Sequence, residues 1–118
     1  MIGTWILESY FLIEPNGKAR PIWPKSSGML VLTESGTISA TIIRQDIEQL
    51  SIQDLITYFG KFKLIGDELK IDILLSNVAW HLTKPQTRKV FFEGELLRME
   101  LHGHPYGSHI VKWKKLSP

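Results

Sequence analysis

Apolar and polar residues alternate along most of this chain, in the two-residue period of β-strands. The clearest case is Leu69–Leu75, where leucines and isoleucines alternate with Lys70 and Asp72. In the first segment, Gly3–Glu14, the carboxylates Glu8 and Glu14 mark one face as outward. The opposite face is predicted to point into a core and consists of Trp5, Leu7, Ser9, Phe11 and Ile13.

Glycine-containing turns separate these segments, as expected of hairpins. Glu34-Ser35-Gly36, Gly66-Asp67 and Gly94-Glu95 each lie between two strand-like runs, and glycine supplies the backbone angles that tight turns need. The pattern predicts eight strands: Gly3–Glu14, Gly28–Thr33, Thr37–Arg44, Tyr58–Ile65, Leu69–Leu75, Arg88–Glu93, Leu96–Leu101 and Ser108–Lys115.

Three segments break the strand pattern. Gln45–Thr57 is more polar and approximates helical spacing, with Ser51 placed as an N-cap over Asp54, which predicts one short helix. Lys18–Ser27 and Ser76–Pro85 are predicted to be irregular loops that carry Trp23 and Trp80-His81.

Strands at roughly ten-residue spacing, joined mostly by hairpins, favour an antiparallel barrel or sandwich. The first strand begins almost at the start of the chain and needs a partner. The last strand offers one, because it is equally β-rich and ends in Trp113 flanked by lysines. We therefore expect a barrel closed by its two terminal strands, with Trp5 close to Trp113.

Several motifs, in this order, carry a resemblance to a known family. They are Gly3-Thr4-Trp5, the proline-rich loop from Arg20-Pro21 to Pro24, Gly28-Met29-Leu30-Val31-Leu32-Thr33-Glu34-Ser35-Gly36, Tyr58-Phe59-Gly60-Lys61-Phe62, Arg88, Gly94-Glu95-x-Leu97-x-Met99 and Trp113-x-Lys115. With them, nearly the whole chain resembles the bacterial and fungal lipocalin-like domain family, whose members are small calycin-type β-barrels.

The resemblance implies an all-β fold: an eight-stranded antiparallel up-and-down barrel. It also implies that a cation of the last strand, Lys115 or Lys114, packs over Trp5, where family members commonly have arginine. We expect Trp5 and Trp113 to be structural, because an indole covered by a cation's aliphatic stem fills the closed end of a barrel.

Composition narrows the remaining classes of protein. The 118 residues suffice for one domain, 1–118. With 14 basic against 12 acidic residues, the charge is too near neutrality to indicate nucleic acid or an anionic membrane as partner. The absence of cysteine excludes disulfides and thiolate sites. Because Glu8 and Glu14 interrupt the apolar N-terminal run, we expect no signal peptide or membrane span, and a cytoplasmic protein.

Small eight-stranded barrels either fill with side chains or hold one small ligand. The inward set is mostly apolar with a few polar groups, as in a pocket for a small apolar or amphipathic molecule. Arg88 shares its face with Val90, so it either meets an anionic ligand or reaches solvent past the rim. The predicted ligand-binding residues are Trp23, Tyr58, Phe62, Trp80, Arg88 and His109.

Two other functions stay open. The barrel could act as an isomerase, cyclase or dehydratase, with His109 or Tyr58 transferring a proton, or it could be a solid-core interaction module that forms a homodimer. His102 and His104 share one side of an extended segment, but no third ligand accompanies them, so we predict no metal site. We expect no cofactor, since no nucleotide or phosphate-binding motif is present.

Overall fold

The computed structural model describes residues 1–104 and 107–116, and of residues 103 and 104 only the backbone. Nine strands account for most of it. They are β1 (Gly3–Ile13), β2 (Ala19–Pro21), β3 (Ser26–Leu32), β4 (Thr37–Arg44), β5 (Leu55–Ile65), β6 (Glu68–Ser76), β7 (Gln86–Glu93), β8 (Leu96–His104) and β9 (Gly107–Lys115).

Eight of these strands form a closed antiparallel ring. From β3 to β9 each strand pairs with the next, and β1 pairs with both β3 and β9. The short β2 stands outside the ring, against the last three residues of β1. Leu7 of β1 lies opposite Trp113 of β9, so the predicted closure of an eight-stranded barrel by its terminal strands is confirmed.

A β-bulge in β1 corrects the predicted inward face of this strand. Leu7 pairs with Trp113 and Ser9 with Lys112, so Glu8 is an extra residue on β1. A one-residue insertion turns every later side chain to the other face. Tyr10 and Leu12 are therefore buried, whereas Phe11, predicted to point inward, is exposed.

A second bulge corrects the end of β6. Phe59 pairs with Leu75 and the next residue, Gly60, pairs with Ile73, which leaves Leu74 as the extra residue. Leu69, Ile71 and Ile73 point inward as predicted, but Leu75 is 67% exposed. The alternate apolar residues of β6 therefore point into the core only as far as the bulge, and not to the end of the strand.

The predicted helix within Gln45–Thr57 is wrong in extent. Only a single 3-10 turn forms, Ile52–Asp54. Its predicted cap is present: the Ser51 side chain accepts a hydrogen bond from the Gln53 backbone, and the Asp54 carboxylate accepts one from the Ser51 backbone. The helix stops there because β5 already begins at Leu55, where its backbone pairs with β4. A second 3-10 turn, Ala79–Leu82, lies in the loop between β6 and β7.

The core fills one end of the barrel, where β1 begins and β9 finishes. The fully buried large side chains there are Trp5, Leu30, Leu32, Ile38, Leu69, Ile71 and Leu97. Within the described residues, no helix has the length and apolar character that crossing a membrane requires.

Candidate functional site

The other half of the barrel holds a cavity of about 230 Å³. Its apolar wall consists of Ala40, Ile42, Ile56, Val78, Met99, Leu101 and Val111. The remaining lining side chains are aromatic, polar or charged: Tyr10, Tyr58, Trp80, His81, Arg88, His109 and Trp113. No aspartate or glutamate is among the described residues that line it.

Arg88 is the charged group of this cavity. It projects inward from β7, opposite Leu69 of β6, and its residue is only 9% exposed. Its Nη1 donates to the Thr87 carbonyl oxygen at 3.1 Å and, at a longer 3.5 Å, to Gln86 Oε1. None of the ion pairs among the described residues includes Arg88, and its Nε and Nη2 donate to none of those residues.

The electrostatic setting of Arg88 follows from this burial. Loss of hydration lowers the pKa of Arg88, and the nearby Tyr58 and Tyr10 partly oppose that shift. A guanidinium nevertheless stays protonated in proteins, so the cavity carries one positive charge.

Tyr10 and His109 form a hydrogen-bonded pair in the cavity wall. The Tyr10 hydroxyl lies 3.1 Å from His109 Nδ1, and the ring centroids are 5.9 Å apart. Burial raises the pKa of Tyr10 to about 12, with Arg88 opposing the shift. Tyr10 was predicted to face outward, and only the bulge at Glu8 brings it into the cavity.

His81 is the other site residue that the sequence did not single out as inward. The second 3-10 turn places its Nδ1 2.9 Å from Ser76 Oγ, and its ring lies edge-on to Tyr58, with centroids 5.5 Å apart. Burial, followed by the nearby Arg88, lowers the pKa of His81 to about 4. The imidazole is therefore neutral at pH 7 and adds no second charge.

The structure brings four of the six predicted ligand-binding residues together: Tyr58, Trp80, Arg88 and His109 all line the cavity. Tyr58 shares it with Arg88, and burial raises the pKa of Tyr58. Trp80 stands 41% exposed, with its ring 4.5 Å from that of His81.

The other two predicted residues lie elsewhere. Trp23 is half-buried outside the cavity, where its ring meets Tyr10 edge-on at 6.3 Å. Phe62 pairs with Ile71 of β6 and packs on the core cluster without reaching the cavity. Of the two alternatives for Arg88, an inward position or a side chain that reaches solvent past the rim, its burial agrees with the inward one.

At the closing strands a lysine lies over Trp5 as expected, but Trp113, expected to be structural, also lines the cavity. Lys115 Nζ lies 5.6 Å from the centre of the Trp5 ring, and the Trp5 indole donates to the Met1 carbonyl oxygen at 3.0 Å. Trp113 is buried and forms part of the cavity wall.

No group of three or more potential metal ligands exists among the described residues. His102 lies on the outside, with Nε2 2.8 Å from Glu100 Oε1 and Nδ1 2.9 Å from Ser108 Oγ. The side chain of His104, considered with it as a metal ligand, lies outside the described residues.

Comparison with known proteins supports the fold. No protein-family model and no curated protein sequence matches the chain. A lipocalin-like protein from Bacteroides uniformis ATCC 8492 has a similar solved structure, with a TM-score of 0.58, 21% identity, and coverage of 98% of this chain and 97% of that one. An uncharacterized protein from Bacteroides eggerthii DSM 20697 matches with a TM-score of 0.55 and 19% identity over 96% of this chain and 98% of that one. The closed eight-stranded ring and these neighbours together show that the chain has the lipocalin-like barrel fold.

Proposed function

We propose that this protein binds a small amphipathic carboxylate in the barrel cavity, with Arg88 holding the carboxylate and the apolar wall holding the rest of the molecule. The observation that carries the proposal is the burial of Arg88 beside a cavity that has no acidic side chain among its described lining residues.

A buried charge without a counterion is costly, because the protein interior replaces hydration poorly. Arg88 has two neutral oxygen acceptors, both reached through Nη1. Its Nε and Nη2 groups lie along one edge of the guanidinium, and this edge matches the two oxygens of a carboxylate. A bound carboxylate would complete the hydrogen bonding of the arginine and neutralise its charge.

The rest of the cavity suits the other end of such a ligand. Most of the lining is apolar or aromatic, and a few polar groups converge at one place, which is the usual composition of small-molecule sites. Tyr58 makes no hydrogen bond to another described residue, so its hydroxyl is a second donor for the ligand.

The alternatives have less support. An isomerase, cyclase or dehydratase would need Tyr58 or His109 to transfer a proton near neutral pH. Burial raises the pKa of Tyr58, which makes its hydroxyl a weaker acid, and His109 Nδ1 already faces the Tyr10 hydroxyl at 3.1 Å. A solid-core interaction module would have no interior cavity, yet this barrel contains one of about 230 Å³. We propose no cofactor, nucleic acid or membrane as partner.

The test compares two acids with their neutral alcohols: benzoate with benzyl alcohol, and octanoate with 1-octanol, by isothermal titration calorimetry. We expect the protein to bind at least one acid more tightly than its alcohol. Arg88→Met should weaken binding of that acid by about thirtyfold or more, because it removes a buried charged hydrogen bond. Arg98→Met is the matched control, since Arg98 pairs with Glu93 and Glu100 at the surface.

The thermal midpoint of Arg88→Met distinguishes a lost ligand contact from a lost fold. We expect the ligand-free variant to melt no lower than the parent, because methionine fills similar space without a buried charge. The proposal is wrong if neither acid binds the parent protein, or if the folded Arg88→Met variant binds the acid as tightly as the parent.

A further inference from the structure

The size of the cavity limits the ligand more sharply than its composition does. Fully buried side chains such as Trp5 and Leu97 fill the other end of the barrel, so a ligand cannot extend through it. A volume of about 230 Å³ corresponds to roughly eight water molecules at about 30 Å³ each. Because covalently bonded atoms pack more closely than separate waters, it accommodates roughly eight to twelve non-hydrogen atoms. A long acyl chain exceeds this capacity and would have to leave most of its length outside the cavity, in water.

The charge of the cavity limits the ligand to one anionic group. Arg88 is the only lysine or arginine among the described lining residues. A second carboxylate on the ligand would be buried among apolar and aromatic side chains with no cation to pair with, which is strongly unfavourable.

The wall around that charge is rich in rings. Tyr58 and Tyr10 lie near Arg88, and Trp80, Trp113 and two imidazoles complete the ring-bearing part of the lining. Tyr58 and Trp80 both already contact the His81 ring edge-on, with centroids 5.5 and 4.5 Å away. Rings in such arrangements favour another ring over an aliphatic group of equal size, because edges and faces carry opposite partial charge.

On the basis of the function proposed above, we infer that the ligand is a compact aromatic monocarboxylate: one carboxylate on Arg88 and one planar ring against Tyr58 and Trp80. Aliphatic acids of the same size, dicarboxylates and long-chain fatty acids are then the disfavoured classes.

The experiment measures dissociation constants by calorimetry for benzoate and for three acids that each represent one of the disfavoured classes. Benzoate and cyclohexanecarboxylate share size and charge and differ in aromaticity, phthalate adds a second carboxylate, and palmitate adds length. We expect benzoate to bind about two- to tenfold tighter than cyclohexanecarboxylate. We expect phthalate and palmitate to bind at least about tenfold more weakly than benzoate.

Trp80→Leu tests the ring contact directly, because this residue is partly exposed and can be replaced without emptying the core. This substitution should weaken the binding of benzoate and change the dissociation constant of cyclohexanecarboxylate by less than about twofold. Leu82→Ala, in the same 3-10 turn and also exposed, is the matched control and should change neither dissociation constant.

The failure of this inference differs from the failure of the proposed function. If cyclohexanecarboxylate, phthalate or palmitate binds as tightly as benzoate and Arg88→Met removes that binding, the carboxylate site stands and the aromatic class is wrong. If no acid binds, or if binding survives Arg88→Met, both proposals are wrong.

Discussion

At the scale of single residues, the cavity wall is built from ionisable side chains held in their neutral forms around one permanent charge. His81 is the clearest case. Its Nδ1 faces Ser76 Oγ, its ring faces Tyr58, and Arg88 is the charged group that acts on it. Protonation would place a second cation in the same buried space, so burial and Arg88 both keep the pKa of His81 low, at about 4.

This shift predicts a pH dependence of stability. His81 has an ordinary pKa of 6.5 when the chain is unfolded and about 4 when it is folded. Below pH 6.5 the unfolded chain therefore takes up a proton that the folded protein does not. The contribution of His81 to stability is full above pH 6.5 and falls as the pH drops toward 4, by roughly 1–3 kcal/mol.

Urea unfolding of the parent, His81→Gln and His102→Gln at pH 7.5 and 4.5 measures this. The parent and the exposed His102→Gln control should lose more stability on acidification than His81→Gln does. An equal loss in all three proteins would mean that His81 is not the group responsible.

The sequence predicted part of this wall. Strand parity placed Arg88 on the face of Val90 but left open whether its side chain points inward or reaches solvent past the rim; both residues are buried. Tyr10 was placed outside because the bulge at Glu8 leaves no mark in the alternation, which simply resumes on the other face. His81 lies in a loop without periodicity, so its inward direction depends on tertiary contacts with Ser76 and Tyr58.

At the scale of elements, the pairing of the strands departs from a regular register where one strand carries an inserted residue. Gly60 lies opposite the bulge at Leu74, and a Cβ on Gly60 would stand 2.3 Å from the Asp72 carbonyl oxygen and 2.9 Å from Ile73 Cα. β5 and β6 therefore approach each other more closely here than any other residue would permit.

We expect Gly60→Ala to destabilise the protein by about 1–3 kcal/mol, because the added methyl group must push one strand away from its neighbour. Urea midpoints measure the effect. Lys61→Ala, the next residue on the exposed side of β5, should cost less than about 1 kcal/mol. A Gly60→Ala variant as stable as Lys61→Ala would show that β6 can move away without cost.

Elements were predicted well where one local signal decided them, and less well where a partner strand decided them. The hairpin turns and the Ser51–Asp54 cap depend on neighbouring residues and were predicted from the sequence. The prediction of a longer helix was wrong because Leu55 pairs with Ile43 on β4, and this pairing extends β5 back to the capped turn. Such pairing joins residues distant in sequence, which local spacing does not report.

At the scale of the whole molecule, the barrel depends on two strands from opposite ends of the chain. β1 and β9 pair from Trp5 with Lys115 to Ile13 with Ser108. The sequence predicted this closure because both ends carry a β-rich run and a tryptophan. It did not predict how the interior divides into a filled half and a hollow half, which depends on how side chains from all eight strands meet.

The two members of the closing contact should contribute very differently to stability. Trp5 is buried, so Trp5→Leu removes packing that the surroundings cannot replace and should cost about 2–4 kcal/mol. Lys115 is exposed and its ammonium lies 5.6 Å from the ring, so Lys115→Met should cost less than about 1 kcal/mol. Lys115→Arg should match or slightly exceed the parent, because a planar guanidinium stacks on an indole.

Urea unfolding gives these three differences, and amide hydrogen exchange locates them. In Trp5→Leu, hydrogen exchange should accelerate first at the amides that join β1 to β9, because this closing pair of strands, the seam of the barrel, loses its packing there. If Lys115→Met destabilises the protein as much as Trp5→Leu, the cation rather than the buried indole stabilises the seam. If neither does, the hydrogen bonds between β1 and β9 suffice to close the barrel, and the tryptophan fills space that the fold does not require.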